Sequence, residues 1–553
     1  MKKAFDIHTF YREFCTEQFG EDGALTNFSV HCPQNFNFGY DIVDRIAAAE
    51  PRRRALVWTD DRGGASRFTF ADISKRSNQV ANMLLELGIK KGDPVLVILK
   101  RHYEYWFTIV ALHKIGAIAV PATHMLTTPD LVYRIKACQA VAAICTADGD
   151  TAADIDAAQK QCPSLKHKII ARGAREGWVP FHARLHEMPR TLERIPTAAG
   201  DPMLIFFTSG TTGMPKMVLH DFRYPLGHIV TAKYWHKVDP DGLHLTVADT
   251  GWAKASWGKI YGQWIMGAGI FVYDYNKFKP KDLLALIEKY RITTFCAPPT
   301  IFRFFIKEGM QDFDLSSLQH ATTAGEALNP EVFSRFKEYT GLDLTEGFGQ
   351  SESTLLIGNI QNMPLRLGSM GRPSPQYSIQ LMDEDGNIVD PGEEGEIVID
   401  TRDGVPAGLF CGYYQDDKRT EEIWHDGYYH TRDIAWQDED GYLWYVGRTD
   451  DVIKASGYRI GPFEIESVLM EHPAVLECAV TGAPDPIRGQ VVKATIMLTQ
   501  GYQPSDELIA ELQDFVKHQT APYKYPRIIE FVDALPKTIS GKIKRDVLRG
   551  KHL

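Results

Sequence analysis

Residues 206–216 read FFTSGTTGMPK, an apolar run that opens into hydroxyls and glycines and closes on a cation. Thr208, Ser209, Gly210, Thr211, Thr212 and Gly213 offer hydroxyls and backbone N–H groups at close spacing, and Lys216 adds an ammonium. Glycine lets a backbone approach an anion, and successive N–H groups form concave anion sites. The stretch has the makings of a phosphate cradle. Its spacing is not that of the common nucleotide loop, which places Gly directly before its Lys and Ser or Thr directly after it. Here Pro215 precedes Lys216 and Met217 follows it. Taken alone, the segment is equally well read as a surface turn, because short glycine motifs recur by chance.

The elements that must position this loop alternate in type. RALVWT (54–59), PVLVIL (94–99), AVAAICT (140–146), PMLIFF (202–207) and ITTFCA (292–297) read as buried strands. Between them, 70–88 and 103–116 carry apolar residues at helical spacing, and Gly88 is placed to cap the first. PTIFRFFIKE and EVFSRFKEYTG continue as helices, and DLTEGFG as a strand. Such alternation predicts parallel-type sheets flanked by helices, whose ligands sit at the carboxyl ends of the strands. FFTSG, ATTAGEA and LTEGFGQ each put small residues at such an end. From about residue 376 the pattern turns to short β segments, with a Glu-Asp-Gly-Asn turn between two alternating runs. After GRTDDVIK (447–454) a compact segment follows, with helices near 463–471 and 506–519 and strands near 475–482 and 490–498. About 100 residues suffice for a small domain. The expectation is an α/β protein with a large N-terminal domain (1–449) that includes a small β-rich subdomain, a hinge at 450, and a small α+β domain (451–553).

Bulk properties narrow the class. A chain of 553 residues exceeds one compact core. A net charge of -10 argues against a general nucleic-acid binder, whose affinity rests on clustered Lys and Arg. The eight cysteines include no C-x-x-C pair, so they read as free thiols in a reducing compartment. The N-terminus, MKKAFDIHTFYREF, lacks the apolar core of a secretory signal, and no apolar run reaches the roughly 18 residues of a membrane helix. A cytoplasmic protein without membrane insertion is expected. A homodimer is compatible with the sequence, which does not fix the oligomeric state.

Five further motifs accompany the loop in order: GEAL (325–328), EGFGQSE (346–352), YHTRD (429–433), GRTDDVIKASGYRIGP (447–462) and PKTISGKIKR (536–545). Together they resemble the adenylate-forming superfamily of acyl-CoA synthetases, luciferases and peptide-synthetase adenylation domains. The resemblance runs from about residue 50 to the C-terminus and looks closest to the medium-chain acyl-CoA synthetase branch. It implies that a carboxylate attacks the α-phosphorus of ATP, that pyrophosphate leaves, and that CoA then displaces AMP. The nucleophile is already an anion, so catalysis is positioning and charge neutralisation, and no general base is required. The resemblance assigns Thr208–Gly213 and Lys216 to the β and γ phosphates, Glu352 to Mg²⁺ and Ser351 to the α-phosphate. Gly325, Glu326 and Ala327, with Glu346, Gly347 and Phe348, flank adenine. Asp433 and Arg448 take the ribose. Lys542 reaches the reacting carboxylate and α-phosphate from the small domain as a preplaced cation. Asp450 is the hinge, Gly457 lines the CoA tunnel and Arg459 contacts a phosphate. Three positions depart from the family's pattern. Ser351 stands where most relatives have Thr, Phe348 where they have Tyr, and Arg432 where they have Gly.

The acid is set by residues outside these motifs. Acetate-specific relatives carry Trp at the position of Gly349, so an open pocket floor and an acyl group larger than acetate are expected. Trp252, Lys254, Trp257 and Cys296 are the other pocket candidates. Lys254 is expected either to meet a substrate carboxylate or to pack its stem while its head reaches water. A medium-chain or branched short fatty acid is the expected substrate. Alternatives are an aryl acid such as benzoate, a short acid such as acetate or propionate, loading of a carrier protein, and a nonenzymatic nucleotide binder.

Overall fold

The computed structural model describes residues 5–208, 214–325, 328, 330–360, 362–455, 458–486, 488–538 and 542–550, without the side chains of Pro330 and Arg459. Two helix-covered sheets build most of the large domain. In the first, seven strands lie in the order Lys216–Asp221, Pro202–Thr208, Ile118–Pro121, Pro94–Ile98, Ala142–Thr146, His167–Ala171, Val179–Pro180. Neighbours are parallel except at one edge, where Pro202–Thr208 and Lys216–Asp221 run antiparallel. The inner strands are buried along their whole length, which is why they read as continuous apolar runs. In the second sheet, Leu344–Phe348, His320–Thr323, Thr294–Ala297, Leu243–Thr246, Gly269–Asp274 and Arg54–Asp60 are consecutive parallel neighbours.

Local chemistry sets the helix ends. Phe70–Glu86 starts in a capping box, in which Asp72 N donates to Thr69 Oγ1 and Thr69 N donates to an Asp72 carboxylate oxygen. It stops before Gly88, at φ +82°, the left-handed position that glycine occupies without strain. Its buried face, with Ile73, Val80 and Leu84, packs into the main core with Glu104–Ile115, a helix buried on every side.

A third, antiparallel sheet joins Ile379–Met382, Glu394–Asp400, Tyr428–Gln437 and Trp424–His425, with Leu443–Arg448 paired to Tyr428–Gln437. Beyond it lies the small C-terminal unit. Tyr458–Ile460, Ile453–Ala455, Gly489–Leu498 and Val475–Asp485 form its sheet, with Ile528–Phe531 alongside Gly489–Leu498. Helices Pro462–Leu469 and Asp506–Gln519 close a separate core around Ile465, Leu469, Val480, Val492 and Leu512. The small unit is tied back to the residues at which it begins. Arg549 Nη1 donates to the Asp450 carbonyl at 3.0 Å and to Asp451 Oδ1 at 2.9 Å.

The N-terminal hairpin, Cys15–Phe19 against Leu25–Val30, was not legible in the sequence. It is anchored by Glu17, which accepts from Tyr11 at 2.9 Å and from Tyr234. Among the described residues, no helix is long and apolar enough to cross a membrane.

Candidate active site

The strands on either side of the glycine-rich loop, Pro202–Thr208 and Lys216–Asp221, pair as antiparallel neighbours. Thr208 and Lys216 face each other in register at its base, and Lys216 opens the returning strand. A GK[ST] loop runs from a strand into a helix and uses the helix N-terminus as part of its cradle. Here no helix follows, so the ordinary spacing has nothing to serve. Ser209, Gly210, Thr211, Thr212 and Gly213 lie outside the described residues.

Lys216 is half-buried, and its ammonium sits 4.9 Å from the centre of the Tyr413 ring and 3.4 Å from its hydroxyl. Burial lowers the Lys216 pKa and the Glu352 carboxylate opposes that shift. The Tyr413 hydroxyl donates in turn to Glu352 Oε1 at 3.0 Å. Cation, ring and carboxylate form one cluster. Ser351 is held through its main chain, whose carbonyl accepts from His220 Nε2 at 2.8 Å. Nε2 must therefore carry the proton, and burial holds His220 neutral, with its pKa pushed down to about 3.

Across from this cluster stands a second carboxylate. Asp433 is 4% exposed. Tyr445 donates its hydroxyl to Oδ1 at 2.9 Å, Gln350 donates Nε2 to Oδ2, and Arg448 Nη1 lies 3.6 Å from Oδ2. Tyr429 fixes Gln350 by donating to its Oε1 at 2.6 Å. Burial raises the Asp433 pKa, and Arg448, Tyr445, Gln350 and Lys542 pull it back. Lys542, in the small domain, is the weakest of these influences. Lys542 itself is exposed; Thr538 N donates to its carbonyl at 2.7 Å and its own N–H donates to Thr538 Oγ1 at 3.1 Å.

Aromatic rings adjoin Asp433 through Tyr445. Phe348 packs against Tyr445 with centroids 6.0 Å apart, and Tyr445 also meets Phe463 of the small domain at 5.7 Å. Gly325 has φ +100°, a conformation that requires glycine. Gly347 lets Trp235 close in, since a Cβ there would stand 2.5 Å from the ring. Glu346 accepts from Leu328 N at 3.3 Å, and burial pushes its carboxyl up to about 8. Glu326, Ala327, Gly457 and the side chain of Arg459 lie outside the described residues. Asp450 sits at the domain junction, with Arg448 Nε 3.4 Å from its Oδ1.

The acyl pocket departs from expectation. Gly349 does not leave its floor open. A Cβ built on Gly349 would stand 2.5 Å from the Trp257 ring and 2.6 Å from the Thr354 carbonyl. The space a residue-349 side chain would take is filled from another helix, by an indole only 7% exposed. Lys254 stands at the edge of this region, half-exposed. Its ammonium donates to the Ala324 carbonyl at 2.7 Å, beside the Gly325 turn. Trp252 is half-buried, and Cys296 is a core residue, 1% exposed.

Tyr413, Gln350, Tyr429 and Tyr445 make contacts here that the sequence reading did not assign. Gln350 and Tyr429 stand inside EGFGQSE and YHTRD, so they were within its reach. Tyr413 and Tyr445 lie outside the quoted motifs. Among the described residues, no cluster of three or more His, Cys, Asp or Glu could cage a metal. Glu352 stands as a lone carboxylate beside the phosphate lysine. That suits Mg²⁺, which takes one or two carboxylates and completes its shell with water and phosphate oxygens.

The chain is 40% identical to acyl-coenzyme A synthetase ACSM3, mitochondrial, of Pongo abelii over 95% of this chain and 91% of that protein. It is 41% identical to acyl-coenzyme A synthetase ACSM4, mitochondrial, of Rattus norvegicus, over 96% and 93%. Among solved structures, it is similar to the anthranilate CoA ligase AuaEII in complex with anthranoyl-AMP, with a TM-score of 0.86 and 30% identity over 94% of this chain and 98% of that one. Residues 43–414 match the AMP-binding enzyme family and 464–542 its C-terminal domain. With two buried-edge carboxylates, a lysine from the second domain and these matches, the chain belongs to the AMP-binding enzyme family.

Proposed function

We propose that this chain is an AMP-forming acyl-CoA synthetase that joins a medium-chain or branched short fatty acid to CoA at the expense of ATP. The observation that carries the reading is the convergence of three groups on one cleft. These are the Lys216–Tyr413–Glu352 cluster, the Asp433–Arg448 pair, and Lys542 from the small domain.

In the adenylation step a substrate carboxylate oxygen bonds to the α-phosphorus and the bond to the pyrophosphate oxygen breaks. Lys216 grips the β and γ phosphates. Asp433, with its two oxygens already oriented by Tyr445 and Gln350, accepts from the ribose hydroxyls. Phe348 and the Gly325 turn flank the base. Lys542 meets the negative charge that grows between carboxylate and phosphate, a preplaced cation that needs no reorganisation. Glu352 would hold Mg²⁺, which neutralises phosphate charge when bound. In the thioester step the thiol sulfur of CoA attacks the acyl carbonyl, the acyl–phosphate bond breaks, AMP leaves, and the thiol proton is lost to solvent. Rotation about Asp450 withdraws Lys542 and brings in the loop bearing Gly457 and Arg459.

The apolar side chains Trp252, Trp257 and Cys296, the acyl-pocket candidates, support a hydrocarbon acid. Each methylene buried there is worth about 0.8 kcal/mol, roughly a fourfold preference. Because Trp257 fills the floor, that indole sets the depth. An aryl-acid CoA ligase is the second reading, favoured by the aromatic walls. A screen of acids from C2 to C12 together with benzoate decides between them, read as acid-dependent pyrophosphate release with and without CoA. Acetate or benzoate as best substrate refutes the fatty-acid reading, and no acid-dependent release refutes the enzyme reading. Eight unpaired cysteines suit a reducing compartment, and the cytoplasm is proposed. Cell fractionation tests it, and sedimentation tests a homodimer.

A further inference from the structure

Two arginines near the end of the chain reach back to one carboxylate at the start of the small unit. The helix Arg545–Gly550 carries Arg545 and Arg549 four residues apart, on one face. Arg549 Nη1 donates to Asp451 Oδ1 at 2.9 Å and to the Asp450 carbonyl at 3.0 Å. Arg545 Nη1 lies 3.8 Å from Asp451 Oδ2, and its Nη2 donates to both oxygens of Glu466, at 2.6 and 2.8 Å. Asp451 is 8% exposed, and a charge so buried is kept where it is paired and hydrogen-bonded. Leu548, between the two arginines, packs in a small core with Ala479 and Leu535. The helix is thus pinned by an apolar contact on one side and by charge on the other.

What this clamp holds is the segment that bears Lys542. Lys542 stands three residues before Arg545, and Lys544 N donates to the Pro536 carbonyl at 2.8 Å. On the other side of the clamp, Asp451 N and Val452 N both donate to the Arg448 carbonyl at 3.0 Å. Those two bonds bridge residue 450, the expected hinge. Arg448 Nη1 in turn lies 3.6 Å from Asp433 Oδ2, and its Nε 3.4 Å from Asp450 Oδ1. Asp433, Arg448, Asp451 and Arg549 therefore form an unbroken run of contacts from the buried carboxylate to the helix that follows Lys542, the kind of contiguous network through which placement is transmitted. Arg545 is anchored at Glu466 as well as at Asp451, whereas Arg549 directs its Nη1 at residues 450 and 451.

We propose that Arg549 and Asp451 are positioning residues for the adenylation step: their ion pair ties the helix that follows Lys542 to the end of the strand Leu443–Arg448, and so sets where Lys542 stands relative to Asp433. A preplaced cation stabilises growing charge only while its geometry holds. Both residues act through Lys542, and the inference rests on the reading of Lys542 as the cation of that step.

The test separates the two half-reactions, each measured in the full chain with the best acid of the screen. Pyrophosphate release without CoA reports adenylation, and thioester formation from supplied acyl-adenylate reports the second step. Arg549→Met keeps an unbranched stem and removes both bonds, Arg549→Lys keeps the charge, and Asp451→Asn removes the charge of the partner. A misplacement of about 1 Å can cost about a hundredfold, and Glu466 still holds Arg545, so adenylation should fall roughly tenfold in Arg549→Met and Asp451→Asn. Arg549→Lys should recover part of that loss. Thioester formation should not fall by more than about twofold, and AMP affinity, set at Asp433, should not move. Adenylation within about twofold of wild type in Arg549→Met, or an equal fall in both half-reactions, which is what a role in folding alone would give, overturns the inference. Pyrophosphate release by the wild type that Arg549→Met leaves intact sinks this inference alone, whereas a wild type that releases none with any acid removes the enzyme reading and this inference with it.

Discussion

Tyr413→Phe isolates one oxygen atom. The hydroxyl makes two contacts: it donates to Glu352 Oε1 at 3.0 Å and accepts from Lys216 Nζ at 3.4 Å. The ring beneath the ammonium, at 4.9 Å, is untouched by the substitution. A hydrogen bond to a charged group is worth about 1.5–3 kcal/mol. Glu352 is half-buried, so water can replace the lost donor, and the lower end applies. About 1.5 kcal/mol is roughly a tenfold change. The expected outcome is a tenfold fall in kcat/KM for ATP in pyrophosphate exchange, largest at limiting Mg²⁺, because the carboxylate that would hold the metal is no longer aimed. AMP affinity should not move, since Asp433 is fixed by Tyr445 and Gln350 instead. Tyr413→Leu also removes the cation–π contact, worth about 0.5–1 kcal/mol, and should lose a further two- to fivefold. A Phe variant within twofold of wild type at limiting Mg²⁺, or equal losses for ATP and AMP, would refute the assignment of Tyr413 as the residue that couples Lys216 to Glu352.

Lys542→Ala should lower acyl-adenylate formation by two orders of magnitude or more, about 3 kcal/mol of transition-state charge stabilisation, and leave thioester formation from supplied acyl-adenylate largely intact. Equal loss in both half-reactions, measured separately, counts against that division. Trp257→Ala should shift the preferred acid to longer chains, each added methylene that enters gaining about fourfold in kcat/KM. Its melting temperature should fall as well, because a buried indole is lost, and an unchanged chain-length profile would show that Trp257 is not the floor. Glu346 carries a pH signature. Burial pushes its folded pKa up to about 8, above the ordinary carboxylate value, so the folded chain holds a proton that the unfolded chain has released. Its stabilisation is complete at pH 4 and is lost as pH rises toward 8, and Glu346→Gln should flatten that slope in denaturant titrations between pH 5 and 9. A slope as steep in Gln as in wild type refutes it.

How much of this was legible follows from distance along the chain. Strands such as Pro94–Ile98 and helices such as Phe70–Glu86 announce themselves because burial on both faces or on one face is written in consecutive residues. The contacts that tune the site are not written that way. Glu352 meets Tyr413 across 61 residues, Gln350 meets Asp433 across 83, and Glu17 meets Tyr234 across 217. No periodicity links such pairs, and a tyrosine in CGYYQ looks like any buried aromatic. Gly349 shows the complementary failure. Counting the atoms that glycine lacks suggests room, but a packed interior does not leave a hole of side-chain size, and Trp257 takes the space.

The same reasoning explains the loop's missing GK[ST] ending. A phosphate loop that runs into a helix can gather backbone donors, the helix dipole, a lysine and a metal-bound hydroxyl within a few residues. A loop that returns as an antiparallel strand has no such helix end. Its lysine leaves on a strand, paired in register with Thr208, and the metal ligand has to come from elsewhere. On the proposed reading the replacements arrive from three places: Glu352 after the strand Leu344–Phe348, Asp433 on Tyr428–Gln437, and Lys542 from the small domain. Distributing the charges this way has a consequence for catalysis. Charges fixed on one loop would stay for both half-reactions, whereas a cation on a separate domain can be present while the carboxylate attacks and absent when the thiol does. Domain rotation can then time the chemistry, and a lysine on a strand end is left with the simpler task of holding the leaving group.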